Sequence, residues 1–211
     1  MQRWEEATSW VGGADVRMGA FVAAAGACTL ERRRFPGGAF AALARSVAYQ
    51  QLATGAARAI HGRFAALYGG RPTPEAVLAT PDDDLRAVGL SAAKVASIKD
   101  LATKVLDGTV RLSGISRLPD HEVVARLCAV RGIGPWTAEM FLMFQLNRPD
   151  VWPVGDLGVR NGFARIHGLG ATPTARELVV LGEPYRPWRT VAAWYCWRAM
   201  ENGVSAAPEG W

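Results

Sequence analysis

Leu127-Cys-Ala-Val-Arg-Gly-Ile-Gly-Pro-Trp-Thr-Ala138 holds a glycine-pinched turn, and Pro153-Val-Gly-Asp156 follows it with a lone acid. Upstream of the turn, Asp120 to Ala129 carries apolar residues at Val123, Val124, Leu127 and Cys128, the 3–4 spacing of a helix. Asp120 is a candidate N-cap, with Pro119 just ahead of it. Downstream, Pro135 to Leu146 predicts a second helix, since proline suits the first helical position, where no amide donor is needed. Between them lies Arg131-Gly132-Ile133-Gly134. Two residues without a Cβ let the chain turn sharply and let its amides approach an anion closely. Those amides stand at a helix N-terminus, where orphan N–H groups and the helix dipole favour a phosphate. Ile133 is read as the apolar plug that seats the turn. A bare Gly-x-Gly fits equally well a helical hairpin that merely packs, so two glycines do not decide the matter.

Composition narrows the field. The chain has 211 residues, half of them hydrophobic, enough for one compact domain or two small lobes. Alanine-rich segments dominate and β-branched alternation is scarce, so the expected class is all-α. The formal charge is +5 and the pI near 9.5, which suits a polyanionic partner without requiring one. No run of about 18 apolar residues exists, so no membrane partner is expected. The polar start Met1-Gln-Arg-Trp-Glu-Glu does not resemble a secretory signal. Cys28, Cys128 and Cys196 are widely spaced and offer neither a disulfide framework nor a zinc or iron–sulfur pattern. A reducing cytoplasm is the expected compartment.

Capping residues and prolines divide the rest into helices. They are expected over Asp15–Gly26, Phe40–Gln51, Ala56–Tyr68, Thr73–Ala79, Pro81–Val88, Ser91–Leu106, Asp156–His167, Pro173–Leu181 and Trp188–Asn202. Gly108 to Leu118 reads as a loop with a short extended piece. Thr29 to Pro36 is a connector carrying the basic run Glu31-Arg-Arg-Arg34, and Gly203 to Trp211 is a tail. Leu43, Val47 and Tyr49 are candidate core or cleft residues; Trp194 and Trp197 are assigned to the core. Asp150 is read as a turn residue, and His61, His121 and His167 receive no role.

The long hairpin string together with Pro153, Gly155 and Asp156 resembles the helix-hairpin-helix DNA glycosylase superfamily, whose members carry a Gly/Pro-rich loop and a catalytic aspartate. Three further segments share the likeness: Phe40 to Leu52, ending in a Gln-Gln pair; Gly89 to Ile98; and Pro187 to Trp194. Together they resemble the alkylated-purine branch, the 3-methyladenine DNA glycosylase II family, over about Asp15 to Asn202. Larger members carry an additional N-terminal β-rich lobe, so this chain is expected to be the helical core alone. The resemblance implies two helical lobes, one roughly 40–150 and one roughly 1–39 plus 151–211, with the active-site cleft between them.

The same resemblance implies a chemistry. A base inside a duplex must be flipped out before its glycosidic bond can be attacked. The loop after the Gln-Gln helix supplies a plug for the gap, which makes Gln51 or Leu52 the candidate wedge; the alternative is a plain helix C-terminus. Asp156 matches the catalytic acid, whose carboxylate stabilises positive charge on the sugar and orients or deprotonates a water. It is equally suited to cap the following helix, and a carboxylate with two oxygens can do both. The position before it, where related enzymes often have a second acid, is Gly155. Members that also nick DNA carry a lysine nucleophile where this chain has Trp136, so the expected enzyme is monofunctional and leaves an abasic site. Trp136 can instead stack on the flipped base, where a π-face attracts a cationic alkylated ring. Trp188 is a second candidate wall, and Met140 stands where some relatives have a pocket tyrosine.

Gly132, Gly134 and Thr137 are the expected phosphate contacts, with Arg131, Lys94 and Arg160 as candidate backbone contacts. The carbonyls of Cys128, Val130 and Ile133 match positions that hold a monovalent cation; no other cofactor and no iron–sulfur cluster is expected. The expected partner is double-stranded DNA with damaged bases, met by a monomer. Two alternatives stand beside this reading: a glycosylase for oxidised or mismatched bases, and a non-catalytic, structure-specific DNA-binding module. Trp136 and the lack of a four-cysteine cluster argue against the first, and the acid at 156 against the second.

Overall fold

The computed structural model describes residues 2–30 and 35–201. The basic run Glu31–Arg34 and the tail from Asn202 onward lie outside the described residues. Twelve α-helices follow in order among the described residues: α1 Gln2–Ala14, α2 Val16–Ala25, α3 Gly38–Tyr49, α4 Thr54–Ala66, α5 Pro74–Ala79, α6 Asp82–Ala87, α7 Ala92–Leu106, α8 Asp120–Cys128, α9 Pro135–Met140, α10 Leu157–His167, α11 Ala175–Leu181 and α12 Arg189–Met200. No strand occurs among the described residues, so the fold is all-α. The chain divides into two compact units, one of residues 35–146 and the other of 2–30 with 147–201.

In the first unit α3 is the central helix. Phe40, Leu43, Ala44 and Val47 are buried, and the small alanines let α4, α7 and the segment after α9 pack closely against it. Tyr49 is half-buried, with its ring under the Arg45 guanidinium at 4.0 Å. Ser91 caps α7 by accepting the Lys94 amide, and Val95, Ile98, Leu101 and Ala102 turn inward. Thr73 caps α5 in the same way, with Pro74 in the first turn. Two expectations need correction. The 108–118 loop holds a 3-10 turn at Ile115–Arg117, with Ile115 buried, and no extended piece. The helix from Pro135 is α-helical only to Met140, then widens into a π turn over Phe141–Gln145. Phe141, Leu142, Met143 and Phe144 are all buried there.

The second unit is built on α12, where every residue from Thr190 to Trp197 is buried. A helix apolar on all sides must be a core helix, and α1, α2 and α10 pack on it. A Cβ at Gly162 of α10 would lie 1.9 Å from the Cys196 carbonyl oxygen, so these two helices touch backbone to backbone. The helix α1 is an addition to the sequence reading; its Ala7 and Val11 are fully buried. Thr174 and Glu177 form a reciprocal capping box at α11.

Two polar clusters tie this unit together. Asp15 caps α2 through the Met18 amide at 2.8 Å, while its other oxygen takes the Tyr185 hydroxyl and lies 3.3 Å from His167 Nε2. Burial raises the Asp15 pKa, but these partners outweigh it and leave the carboxyl below its ordinary value. His167 also stacks on Phe163, with centroids 3.9 Å apart, so this histidine is structural. Asp150 does more than turn the chain: it takes Arg186 at 2.7 Å and Arg189 at 2.7 Å. The three cysteines are free thiols, and burial pushes Cys28 up to about 12, far from a reactive thiolate. Among the described residues no helix is long and apolar enough to cross a membrane.

Candidate active site

The hairpin is formed by α8, the turn and α9. The helix α8 starts at Asp120, with Pro119 in the cap position and no side-chain cap bond, one residue away from the expected arrangement. Val123 and Leu127 anchor α8 in the core. Gly132 has φ +76°, a conformation that favours glycine, and a Cβ there would come within 2.5 Å of Ser97 Oγ. Ile133 is 3 % exposed, which makes it the plug under the turn. Gly134 is extended at the N-cap of α9, and a Cβ there would meet nothing within 4 Å. The turn therefore faces open space at the point where an anion would approach. An open dish of about 550 Å³ lies here, lined by Lys104 and residues 128–134.

Helix α7 braces the turn from the side. Asp100 Oδ2 accepts the Arg131 amide at 2.7 Å, and Lys104 Nζ donates to the Ala129 carbonyl at 2.6 Å. The same two side chains pair at 2.8 Å. Burial raises the Asp100 pKa, but Lys104 and the Arg131 amide outweigh it and hold the carboxyl low. Thr137 is buried and accepts from Gln50 Nε2 at 3.3 Å, while the Gly132 carbonyl accepts from the same nitrogen at 2.9 Å. Gln51 and Leu52 follow directly and are both exposed; Gln51 holds φ +56° without being glycine.

Asp156 lies at the N-cap of α10. Its Oδ1 accepts the Val159 amide at 2.8 Å and Trp197 Nε1–H at 3.0 Å, so the cap expected from the sequence is joined by an indole clamp from α12. The side chain is half-buried, which leaves it in reach of water yet partly desolvated. Gly158 stands beside the clamp: a Cβ there would lie 3.1 Å from both Asp156 Oδ1 and Trp197 Cδ1. Cys196 is buried next to this carboxylate, and burial and then the Asp156 charge push its thiol pKa up.

The remaining candidates fall in different settings. Trp136 is 37 % exposed in the first turn of α9, while Met140 on the same helix is fully buried. Met140 lines a small cavity with Phe35, Arg45, Ser46 and Gln145. Trp188 is half-buried at the N-cap of α12 and packs edge-to-face with Trp4 of α1, centroids 6.5 Å apart. Lys94 Nζ donates to the Ala48 carbonyl at 2.8 Å and Arg160 Nε to the Pro173 carbonyl at 2.7 Å, so both hold backbone. Arg131 is exposed beside the turn.

Cys128, Val130 and Ile133 are among the residues that line the dish. Val130 already accepts the Ile133 amide at 3.1 Å and keeps a second lone pair. Cys128 closes α8, and Val130 and Ile133 lie in the turn beyond it, so the three would offer a cation neutral backbone oxygens only. Among the described residues no cluster of His, Cys, Asp and Glu could hold a metal. Sequence reasoning missed Trp197, Gln50, Asp100 and Lys104. Each acts on a residue far away in the chain, and of the four only Gln50 sits in a stretch that the sequence singles out.

A glycine-turned helical hairpin and a capped, indole-clamped aspartate are the pair of features expected of a helix-hairpin-helix enzyme acting on DNA. Residues 44–185 match the HhH-GPD superfamily of base excision DNA repair proteins, and the chain belongs to that superfamily. It is 41% identical over 162 residues to DNA-3-methyladenine glycosylase 1 of Schizosaccharomyces pombe, covering 75% of this chain and 71% of that protein. The solved structure of the S. pombe 3-methyladenine DNA glycosylase with abasic DNA superposes with a TM-score of 0.81 at 36% identity, covering 92% of this chain and 95% of that one. A DNA-3-methyladenine glycosidase from Bacillus halodurans gives a TM-score of 0.83 at 34% identity, over 93% and 89% of the two chains.

Proposed function

We propose that this chain is a monofunctional DNA glycosylase that removes alkylated bases of the 3-methyladenine and 7-methylguanine type from double-stranded DNA. The product is an abasic site for base excision repair. The observation that carries the reading is the Asp156 carboxylate, capped by the Val159 amide and clamped by Trp197, in a chain that also carries the Gly132–Gly134 hairpin. The names of the similar S. pombe and B. halodurans proteins support it.

The hairpin amides grip a backbone phosphate; Thr137, expected as a further phosphate contact, is buried and accepts from Gln50 Nε2. The carbonyls of Cys128, Val130 and Ile133 would hold a monovalent cation, which would supply fixed positive charge beside the phosphate. The lesion flips out, at lower cost than a normal paired base, and Gln51 or Leu52 fills the gap. Trp136 and Trp188 offer π-faces to a cationic alkylated purine. As the glycosidic bond lengthens, positive charge grows on the sugar and the Asp156 carboxylate stabilises it. Water then attacks, oriented or deprotonated by the same group. The departing purine is already cationic, so a separate general acid is less necessary. With tryptophan at 136 no amine is placed there for Schiff-base chemistry. The enzyme acts as a monomer in the cytoplasm, on nucleoid DNA if its source is bacterial.

The test is release of free bases from methylated duplex DNA, with borohydride present in a parallel reaction. The expected result is free 3-methyladenine or 7-methylguanine and no trapped protein–DNA adduct. A trapped adduct would overturn the monofunctional mechanism. No release, with DNA binding intact, would move the enzyme to oxidised or deaminated bases, or to a binding module if a wider lesion panel also failed.

A further inference from the structure

Gln50 closes the last turn of α3 directly before the exposed tip Gln51–Leu52. Its Nε2 donates to the Gly132 carbonyl at 2.9 Å and to Thr137 Oγ1 at 3.3 Å. One acceptor lies in the glycine turn itself; the other is buried in the first turn of α9. The tip itself is tightly turned. Gln51 is held at φ +56°, and the Leu52 amide bonds back to the Tyr49 carbonyl at 3.4 Å.

Helix α7 ties the same two pieces a second time. Lys94 Nζ holds the Ala48 carbonyl in the last turn of α3, while Asp100 and Lys104 hold the Arg131 amide and the Ala129 carbonyl. Ser97 Oγ fills the space where a Cβ on Gly132 would stand. Of these side chains, Gln50 alone bonds directly from the tip segment to the turn.

We propose that Gln50 is a positioning residue that couples the wedge to the phosphate grip. It fixes the Gln51–Leu52 tip at a set offset from the hairpin amides, so that gripping the strand and pushing the tip into the base stack are one rigid motion. The proposal rests on reading the chain as a base-flipping glycosylase with its plug at Gln51–Leu52. Donors are essential to the coupling, because both partners in the turn are oxygens. Gln50→Glu keeps the shape and sets an acceptor against the Gly132 carbonyl; Gln50→Leu removes the polar group.

The experiment uses the full chain and a duplex with an uncleavable tetrahydrofuran abasic site flanked by 2-aminopurine, whose fluorescence rises when the stack opens. Single-turnover release of methylated bases and affinity for undamaged duplex are measured alongside. Both variants are expected to keep undamaged-duplex affinity within about threefold, since the turn amides and the α7 brace remain. Release is expected to slow by about tenfold, the scale of a hydrogen bond to ordered backbone, with a smaller 2-aminopurine rise at saturating protein. Thr137→Val removes one acceptor, and its loss should add less than fully to that of Gln50→Leu.

An unchanged fluorescence rise and release rate would overturn the proposal. So would affinity and release falling in step, because Gln50 would then merely build the turn. If Gln50→Leu does not fold, Gln50→Glu decides by the same criteria. If the wild type opens the stack but releases no methylated base, the substrate reading fails while the coupling is still tested. If the wild type does not open the stack at all, the coupling fails with the wedge.

Discussion

In the proposed mechanism the hairpin works through main-chain amides from residues adjacent in sequence, Gly132 to Gly134. Asp156 works there through a single carboxylate, held by an indole 41 positions away in the chain. The hairpin needs side chains mainly to stay out of the way: Gly134 faces open space, and Gly132 leaves room only for Ser97. The aspartate needs side chains to be present, because one carboxylate rotates freely until donors fix it. A site made of backbone is robust to most substitutions except those that add a Cβ or a charge. A site made of one side chain is lost with one atom and weakened by each loosened partner.

The contrast can be broken first at Asp156. Asp156→Asn keeps an oxygen for the Val159 amide, so the α10 cap and the fold should survive. Turnover should fall at least about 100-fold while binding to lesion DNA persists. Robust base release by this variant would remove the carboxylate from the chemistry. Gly134→Asp tests the other side. The new side chain enters open space, so folding should be unaffected, yet it adds a negative charge where the proposed mechanism docks a phosphate. If the proposed phosphate site is correct, affinity for damaged and undamaged duplex alike should drop by about tenfold at low salt, and by less as salt screens the charge. Equal affinity in a fluorescence titration would refute the phosphate site.

Trp197→Phe sharpens the comparison. It removes the Nε1–H bond to Oδ1 and leaves the ring to fill the core. The expected loss is about fivefold in turnover with DNA affinity unchanged; a loss confined to affinity would mean that the indole does not serve the carboxylate. The smallest effect concerns pH in the unit that carries the hairpin. Burial, and then the nearby Arg45, pull the His61 pKa from 6.5 down to about 4. Unfolded chain therefore binds the proton that the folded chain refuses. Stability from this site is complete above pH 6.5 and is lost as pH falls from 6.5 toward 4. Denaturant midpoints across that range should decline less for His61→Gln than for the wild type; parallel curves would show that His61 titrates alike in both states.

The same contrast explains what could be read from the sequence. The hairpin is visible because glycine, proline and apolar spacing act locally: Ile133 is buried under the turn and Pro135 opens α9. The all-α class and the cap at Asp156 are legible for the same reason. Trp197 reads as a core residue, and it is one, 6 % exposed. That its nitrogen also points at Asp156 depends on how α10 and α12 cross, which no spacing encodes. Gln50, Asp100 and Lys104 are hidden likewise, because their partners lie in another part of the chain. Asp150 reads as a turn residue because Arg186 and Arg189 are distant in sequence. The helix α1 is obscured by its mixed polar start, although Ala7 and Val11 give it a buried stripe. The π turn after Met140 has no residue that announces it.

The contact of Gly162 with the Cys196 carbonyl has a consequence for how the molecule tolerates change. Where two helices are spaced by interlocking side chains, each substitution in the core alters the gap a little. Here the gap is set by main chain against main chain, at 1.9 Å from where the smallest side chain would begin. The spacing works as a mechanical stop. Cys196 is the neighbour of Trp197, so this stop stands one residue from the indole that clamps Asp156. A side chain at Gly162 would force α10 and α12 apart just where the carboxylate is aimed.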